Sequence, residues 1–475
     1  MLSLLRKHRI TFAFAIAAAI ALRVFFIAKF KLIDGDSFLY GDFAKNWLLH
    51  GIFGRTGDNG PFASCVRLPG YPAFLAAIWR FTGLEHYTAV LIAQLVIDIG
   101  TCFLVADLAR RMVSDRAALI AFWLAALCPF VAVYTATPLS ETLEIFFTAL
   151  ALDFAVAGLD HLPLGLTRHW IGCGLAVAAA ILLRPDGGIL LGAIGLYLIY
   201  RAAKPGPLSP SLACERFARR NALLATFLVG VFALAPLIPW TLRNWRDFHR
   251  FQPLAPRYAN EPDEPINPGV QRWVKTWIID YVSVVEVYWN LPDGQIDTRL
   301  LPTRAFDSPQ ERQQTDAIFS EYNDTLEWTD RLDSELGKIA DARIRRAPLR
   351  YYLVLPALRI GNMWFRPRTD LLRTNDRWWE FRSDPNGTFW GLLMAAINLF
   401  FVGAALYGLI RRRDLRYAGL LILFVLIRSA FLGTLENPET RYTLECYPAI
   451  IILAASAFAL RANKPETASQ IAKAG

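Results

Sequence analysis

The sequence predicts an all-α, polytopic integral membrane protein. Of 475 residues, 55% are hydrophobic and only 19% charged, where soluble domains carry about 25% charged residues. Apolar runs near the length of a bilayer crossing recur along the chain. The 32 Phe and 14 Trp suit the aromatic belts of a membrane interface.

Charge and cysteine usage narrow the class further. A formal net charge of +9 can signal nucleic acid, but the arginine clusters lie between apolar runs, where membrane orientation explains them. No nucleic-acid partner is expected. Cys65, Cys102, Cys128, Cys173, Cys214 and Cys446 are scattered without a CxxC pair, so they read as small core residues, not as a disulfide or metal set.

The first span runs from about Thr11 to Phe30. Arg6-Lys7-His8-Arg9 precede it and place the N-terminus in the cytoplasm. Without a small-x-small cleavage site, the segment reads as a signal anchor. The first outer loop, 31–87, follows. Within it Asp36, Tyr40, Phe43 and Trp47 share one helical face, which predicts an amphipathic helix over Lys31–His50 along the membrane surface. Gly51–Pro61 reads as a turn-rich loop, and Pro69–Phe81 as a second interfacial helix.

Further spans are expected at Thr88–Ala109, Ala117–Tyr134, Thr142–Val156, His169–Leu183, Gly188–Tyr200 and Asn221–Leu242. They leave Arg110, Arg111, Arg116, Arg201, Lys204, Arg216, Arg219 and Arg220 inside, as the positive-inside rule requires. Residues 243–387 are mostly polar and form an expected extracytoplasmic domain. Tyr351–Phe365 within it is apolar but short and holds Pro356 and Arg359, so it is expected to be interfacial or re-entrant. That keeps Arg411-Arg412-Arg413 inside. Thr388–Ile410, Tyr417–Gly433 and Tyr447–Leu460 complete ten crossings, with Lys464 and Lys473 on a cytoplasmic tail. The chain thus divides into a transmembrane module (1–242), the outer domain (243–387) and C-terminal helices with a tail (388–475). No internal repeat is visible.

On this topology Asp34, Asp36, Asp42, Arg67, Glu141, Arg184, Arg243, Glu439 and Arg441 all sit at or near outer ends of spans. Charge held that close to lipid is costly and marks a candidate site. For Asp36, helix capping is a rival role. Asp34-Gly35-Asp36 also matches a DxD pair that shares a divalent cation. Arg67 could snorkel to the interface or grip a phosphate. A transporter of a lipid-linked or small anionic substrate is the rival function, but repeats and midplane charges, its usual marks, are not seen.

Several short motifs recur in an order that resembles a known family. They are Asp36-Ser37-Phe38-Leu39-Tyr40-Gly41-Asp42-Phe43-Ala44, Arg67-Leu68-Pro69-Gly70-Tyr71-Pro72, Ser140-Glu141, Leu183-Arg184-Pro185, Pro239-Trp240-Thr241-Leu242-Arg243-Asn244 and Glu439-Thr440-Arg441-Tyr442. Together they resemble the GT-C glycosyltransferases that use polyprenyl-phosphate sugars. The bacterial branch similar to protein O-mannosyltransferases and the lipid A aminoarabinose transferase is nearest. The resemblance implies a GT-C bundle of about ten transmembrane helices with outer-face amphipathic helices.

It further implies a polyprenyl-phosphate-linked sugar donor, a glycan, lipid or protein acceptor, and transfer with inversion on the outer face of a bacterial inner membrane. Asp36 would then be the catalytic base. Arg67 would lie by the carrier phosphate, and Glu141 would orient the acceptor. Arg184, Arg243 and Arg441 would contact phosphate or sugar. Tyr40, Asp42, Tyr71 and Tyr442 complete the expected substrate-binding set. No cofactor or metal is implied, which weighs against the Asp34/Asp36 cation reading. The protein mannosyltransferases carry an Asp-Glu pair where this chain has Asp36-Ser37.

Overall fold

The computed structural model describes residues 1–162, 165–204, 212–262, 264, 266–291, 294–372, 374–412 and 415–459, the side chains of 212–215 excepted. Arg413, Lys464 and Lys473, which the sequence places inside, fall outside this set.

Each apolar stretch expected to cross is helical. Among the described residues six helices are long and apolar enough to span: α1 (Arg9–Phe30), then Tyr87–Met112, Glu141–His161, Pro185–Ala203, Arg216–Phe248 and Pro385–Arg411. Asp115–Ala126 and Pro129–Ala136, bent by 49° at their junction, make a seventh when the pair is counted as one broken span. Pro129 causes the bend, because it cannot donate to the helix ladder. His169–Leu183 and Ala418–Gly433 are shorter apolar helices. The last, Tyr447–Phe458, is buried continuously from Tyr447 to Ser456. It packs against Pro385–Arg411, Asp115–Ala126 and Tyr87–Met112. A helix that is apolar on every side belongs in the centre of a bundle, and this one is there. The chain is a polytopic membrane protein of the all-α class.

The first outer loop departs from expectation in two places: the helix expected over Lys31–His50 starts only at Asp36, and the stretch after it is not simply a loop. The surface helix forms as α2 (Asp36–His50), with Tyr40 and Phe43 on its buried face. The expected loop over Gly51–Pro61 is instead largely a β-hairpin, β1 (Gly54–Gly57) paired antiparallel with β2 (Gly60–Ala63). Asp58-Asn59 form its turn without positive φ, and the positive φ falls on the next residue, Gly60, at 103°, where a side chain would be strained. Asp42 anchors this hairpin: its carboxylate accepts from the Thr56 backbone N–H at 2.6 Å and the Thr56 hydroxyl at 2.7 Å. The second surface helix is α3 (Gly70–Thr82). At Gly70 a Cβ would lie 2.6 Å from the Leu182 carbonyl oxygen, so glycine lets α3 start hard against the end of His169–Leu183.

Residues 268–346 build a second apolar core around Trp273, Trp277, Phe319, Tyr322 and Leu336. Tyr351–Phe365 is a π turn (Arg350–Val354) followed by helix α4 (Leu355–Phe365). Its arginine is explained by burial: Arg359 donates to the carbonyls of Ile278 at 2.8 Å and Gly433 at 3.3 Å, tying the outer domain to the bundle.

Inside the bundle, Arg23 of α1 is fully buried. It pairs with Asp98 at 2.5 Å and donates to the carbonyls of Ala19 and Ala125 at 3.1 and 3.3 Å. Breaking one side of such a pair strands a charge and costs about 3–5 kcal/mol. Asp98→Leu should therefore unfold in detergent at clearly lower temperature than wild type. Arg23→Met with Asp98→Leu should recover most of that loss, as read by thermal denaturation of the purified protein. Equal losses in the single and double variants would contradict this account.

Candidate active site

Asp36 opens α2, and its geometry settles one rivalry. Gly35, at φ 43°, is the N-cap, and no side chain caps the helix. Asp36 is thus the first helical residue, with its carboxylate in the favourable field of the helix N-terminus. It accepts from Arg67 Nη2 at 2.8 Å and lies 3.8 Å from Arg441 Nη1. Asp34 is exposed and takes no part in this pairing. Among the described residues no three acidic, cysteine or histidine side chains form a cluster that could hold a metal ion.

Arg67 is set by the loop entering α3. Its Nη1 donates to the Val66 carbonyl at 3.1 Å, and its guanidinium lies 5.8 Å from the Tyr40 ring centre. Tyr40 meets Tyr71 edge-on at 5.0 Å. Tyr71 in turn donates to Gln94 Oε1 at 2.6 Å, and Gln94 donates to the carbonyls of Thr137 and Tyr134 at 2.8 and 3.2 Å. Tyr71 is fully buried and so acts as a pin between α3 and the turn before Glu141.

Around Asp36 the acids and arginines form one continuous network. Arg441 lies 3.7 Å from Glu141 and 2.6 Å from Glu439. Arg184 lies 3.6 Å from Glu141, 3.7 Å from Glu144 and 3.3 Å from Asp186. It also stacks 4.5 Å over the Tyr442 ring. Asp186 continues to Arg428 at 2.8 Å, and Arg428 to Glu445 at 2.9 Å. Ser140 donates to Glu144, and the Tyr442 hydroxyl to Glu439. Six carboxylates face four guanidiniums, and Glu141 Oε2 is buried without a hydrogen-bond partner. Excess carboxylate acceptors suit a ligand rich in hydroxyl donors. Beside Arg441 a narrow cleft opens between Tyr134, Asp370, Leu372 and Leu444.

Burial pushes the Asp36 carboxyl upward, but the charges of Arg67 and Arg441 outweigh it and hold the group below the usual carboxylate range. Burial also pushes the Tyr40 phenol up to about 12, so it stays protonated.

The structure brings together Asp36, Tyr40, Arg67, Glu141, Arg184, Arg441 and Tyr442 from the expected set, with Tyr71 as support. Asp42 and Arg243 do not join. Asp42 is spent on the hairpin. Arg243 pairs with Asp247 at 2.9 Å and donates to the Ser64 carbonyl at 2.9 Å, stacked between Trp240 and Phe248. It braces the strand that leads to Arg67. Sequence reasoning missed Glu144, Asp186, Arg428 and Glu445. Arg428 did carry a signal, since it is a lone arginine within the apolar run Ala418–Gly433.

Comparison with known proteins follows from this geometry. The family described as dolichyl-phosphate-mannose-protein mannosyltransferase matches residues 67–240. That stretch holds Arg67, Tyr71, Glu141 and Arg184 but not Asp36, Arg428 or Arg441. Among solved structures, the chain is similar to the archaeal oligosaccharyltransferase AglB from Archaeoglobus fulgidus in complex with an inhibitory peptide and a dolichol-phosphate. The TM-score is 0.54 at 13% identity, covering 95% of this chain and 50% of that one. A second structure of the Archaeoglobus fulgidus oligosaccharyltransferase, with Zn and sulfate, gives 0.50 at 13% identity, covering 94% and 48%. ArnT from Cupriavidus metallidurans bound to undecaprenyl phosphate gives 0.36 at 13% identity, covering 92% and 77%. No curated protein matches by sequence. The chain spans about half the length of AglB and shares the GT-C fold with it.

A carboxyl held low by its partners adds stability above its unfolded pKa, and that stability is lost as pH falls through the folded value. The gap in thermal stability between wild type and Arg67→Met should therefore be widest near neutral pH. It should close as acid protonates Asp36, from roughly pH 5 downward. Denaturation scans across pH measure this. A gap independent of pH would mean that Arg67 stabilises by packing alone.

Proposed function

We propose that this GT-C chain is a membrane glycosyltransferase that moves a sugar from a polyprenyl-phosphate carrier to an acceptor, with Asp36 as general base. The observation that carries the proposal is the position of Asp36. It is an ionised carboxylate at a helix N-terminus, between two arginines, in a network where acid side chains outnumber guanidiniums. The match to a mannosyltransferase family over 67–240 supports the reading, as does the fold shared with AglB, whose own structure holds a dolichol-phosphate.

Each residue then has a task. The donor phosphate takes the Arg67 guanidinium, a flat fork that suits phosphate oxygens. Losing Arg67 to the phosphate leaves Asp36 with Arg441 alone, which raises its basicity at the moment a base is needed. Asp36 accepts the proton of the acceptor hydroxyl or amine, whose heavy atom attacks the anomeric carbon from the face opposite the phosphate. The bond from that carbon to the phosphate oxygen breaks, and the configuration inverts. Arg67 stabilises the charge on the departing polyprenyl phosphate. Glu141, with its unpaired oxygen, orients the acceptor, and Arg184 with Tyr442 walls the sugar pocket. No step calls for a metal. The site faces the outside of a bacterial inner membrane, and both termini are cytoplasmic.

Asp36→Asn should keep its fold yet lose transfer by about 10²–10⁴-fold, the usual worth of a general base. Membranes charged with radiolabelled polyprenyl-phosphate sugars measure it, and normal turnover would refute the assignment. For sidedness, Thr434→Cys should react with an impermeant thiol reagent in intact cells while Asp115→Cys stays shielded. The reverse pattern would invert the topology.

A further inference from the structure

A second concave surface lies beside the site and takes no part in the chemistry above. Two open clefts adjoin at Tyr258, Asn260, Glu264 and Ile266, which line both, and together they make a groove. One end reaches Cys65, in the loop after β2 that leads to Arg67. The other reaches Tyr288 and Trp328 of the outer domain.

The wall shared by both clefts is fastened to the catalytic loops on two sides. Ser64 Oγ donates to Glu261 Oε1 at 2.6 Å, which ties it to the Arg67 loop. Arg257 pairs with Glu436 at 3.3 Å, which ties it to the loop that carries Glu439 and Arg441. The groove wall is therefore tied to the two loops that carry Arg67 and Arg441.

The lining has its own chemistry. Tyr258, Tyr288 and Trp328 supply aromatic surface, while Asn260, Asn267 and Gln271 supply neutral amides. Tyr288 donates to Gln271 Oε1 at 2.7 Å, which fixes that amide with its NH₂ as the donor end. The cations are engaged: Arg257 by Glu436 and by stacking 5.1 Å over Tyr258, and Arg250 by the Pro262 carbonyl. Ring faces carry negative charge density and attract the C–H faces of pyranose rings. Amides can donate to and accept from hydroxyls at once. A peptide that binds by adding a strand would need a free strand edge. Among the described residues the only paired strands are β1 and β2, and none of their residues lines the groove.

We propose that this groove binds a neutral oligosaccharide, the body of a glycan acceptor whose end is presented to Asp36. Its role as an acceptor site rests on the transferase reading; its binding of saccharide does not.

The test uses the purified full-length chain in detergent, without donor. Hydrogen exchange is followed over 258–271 and 288–291 with maltohexaose, mannohexaose or chitohexaose, and in parallel with tryptic peptides of casein. Exchange in those segments should slow about tenfold with one of the saccharides at about ten times its Kd. Protection should be lost in Tyr258→Ala/Asn267→Ala. No protection by any of the three saccharides, protection by peptides alone, or protection that survives in the double variant would each overturn the proposal. A chain that binds saccharide but moves no sugar refutes the transferase reading alone. One that moves sugar without this protection refutes the groove alone.

Discussion

Everything at the outer end of the bundle depends on one electrostatic constraint. A charged side chain withdrawn from water must find its opposite nearby, because the interior repays desolvation only through close pairing. Arg441 shows how this shapes the molecule. A single guanidinium reaches Asp36 of the first outer loop, Glu141 at the head of a span, and Glu439 of its own loop. Arg184 and Arg428 extend the same logic inward through Asp186. Segments from opposite ends of the sequence are therefore held at one point by charge, while apolar packing holds the spans below.

The same network makes a site out of what would otherwise be a brace. Carboxylates outnumber guanidiniums, so not every acid is neutralised from within. Arg67 is the least committed of the arginines: its one carboxylate partner is Asp36, the others being a carbonyl and a ring face. An anion arriving there meets a cation that can change partners without breaking the bundle. Arg184, by contrast, is held by three carboxylates and a tyrosine ring and has no such freedom.

Much of this was legible in the sequence, for physical reasons that vary by element. The spans were visible because lipid demands long apolar runs. Asp36, Arg67, Glu141, Arg184 and Arg441 were visible because charge beside lipid is conspicuous. The hairpin at Gly54–Ala63 was hidden because its strands are only four residues each and rich in glycine, so they show no alternation. Arg243 was misplaced because its position at the end of a span is right while its side chain turns to backbone carbonyls, which leave no trace in the sequence. Glu144, Asp186 and Glu445 escaped because a buried acid is recognised only once its partner is known. Those partners range from a close neighbour, Arg184 beside Asp186, to Arg428, 242 residues further on.

That distance has a consequence for how the protein is made. Arg23 and Asp98 are 75 residues apart, so their pair can close while only the first two long spans exist. Asp186 and Arg428 are separated by 242 residues. At about 5–20 residues per second, Asp186 waits roughly ten to fifty seconds for its arginine. During that time it must keep water, Arg184 or the insertion machinery as company. Tyr447–Phe458, the helix at the centre of the bundle, arrives later still. Tyr87–Met112 and Asp115–Ala126 are therefore made long before the helix they pack around.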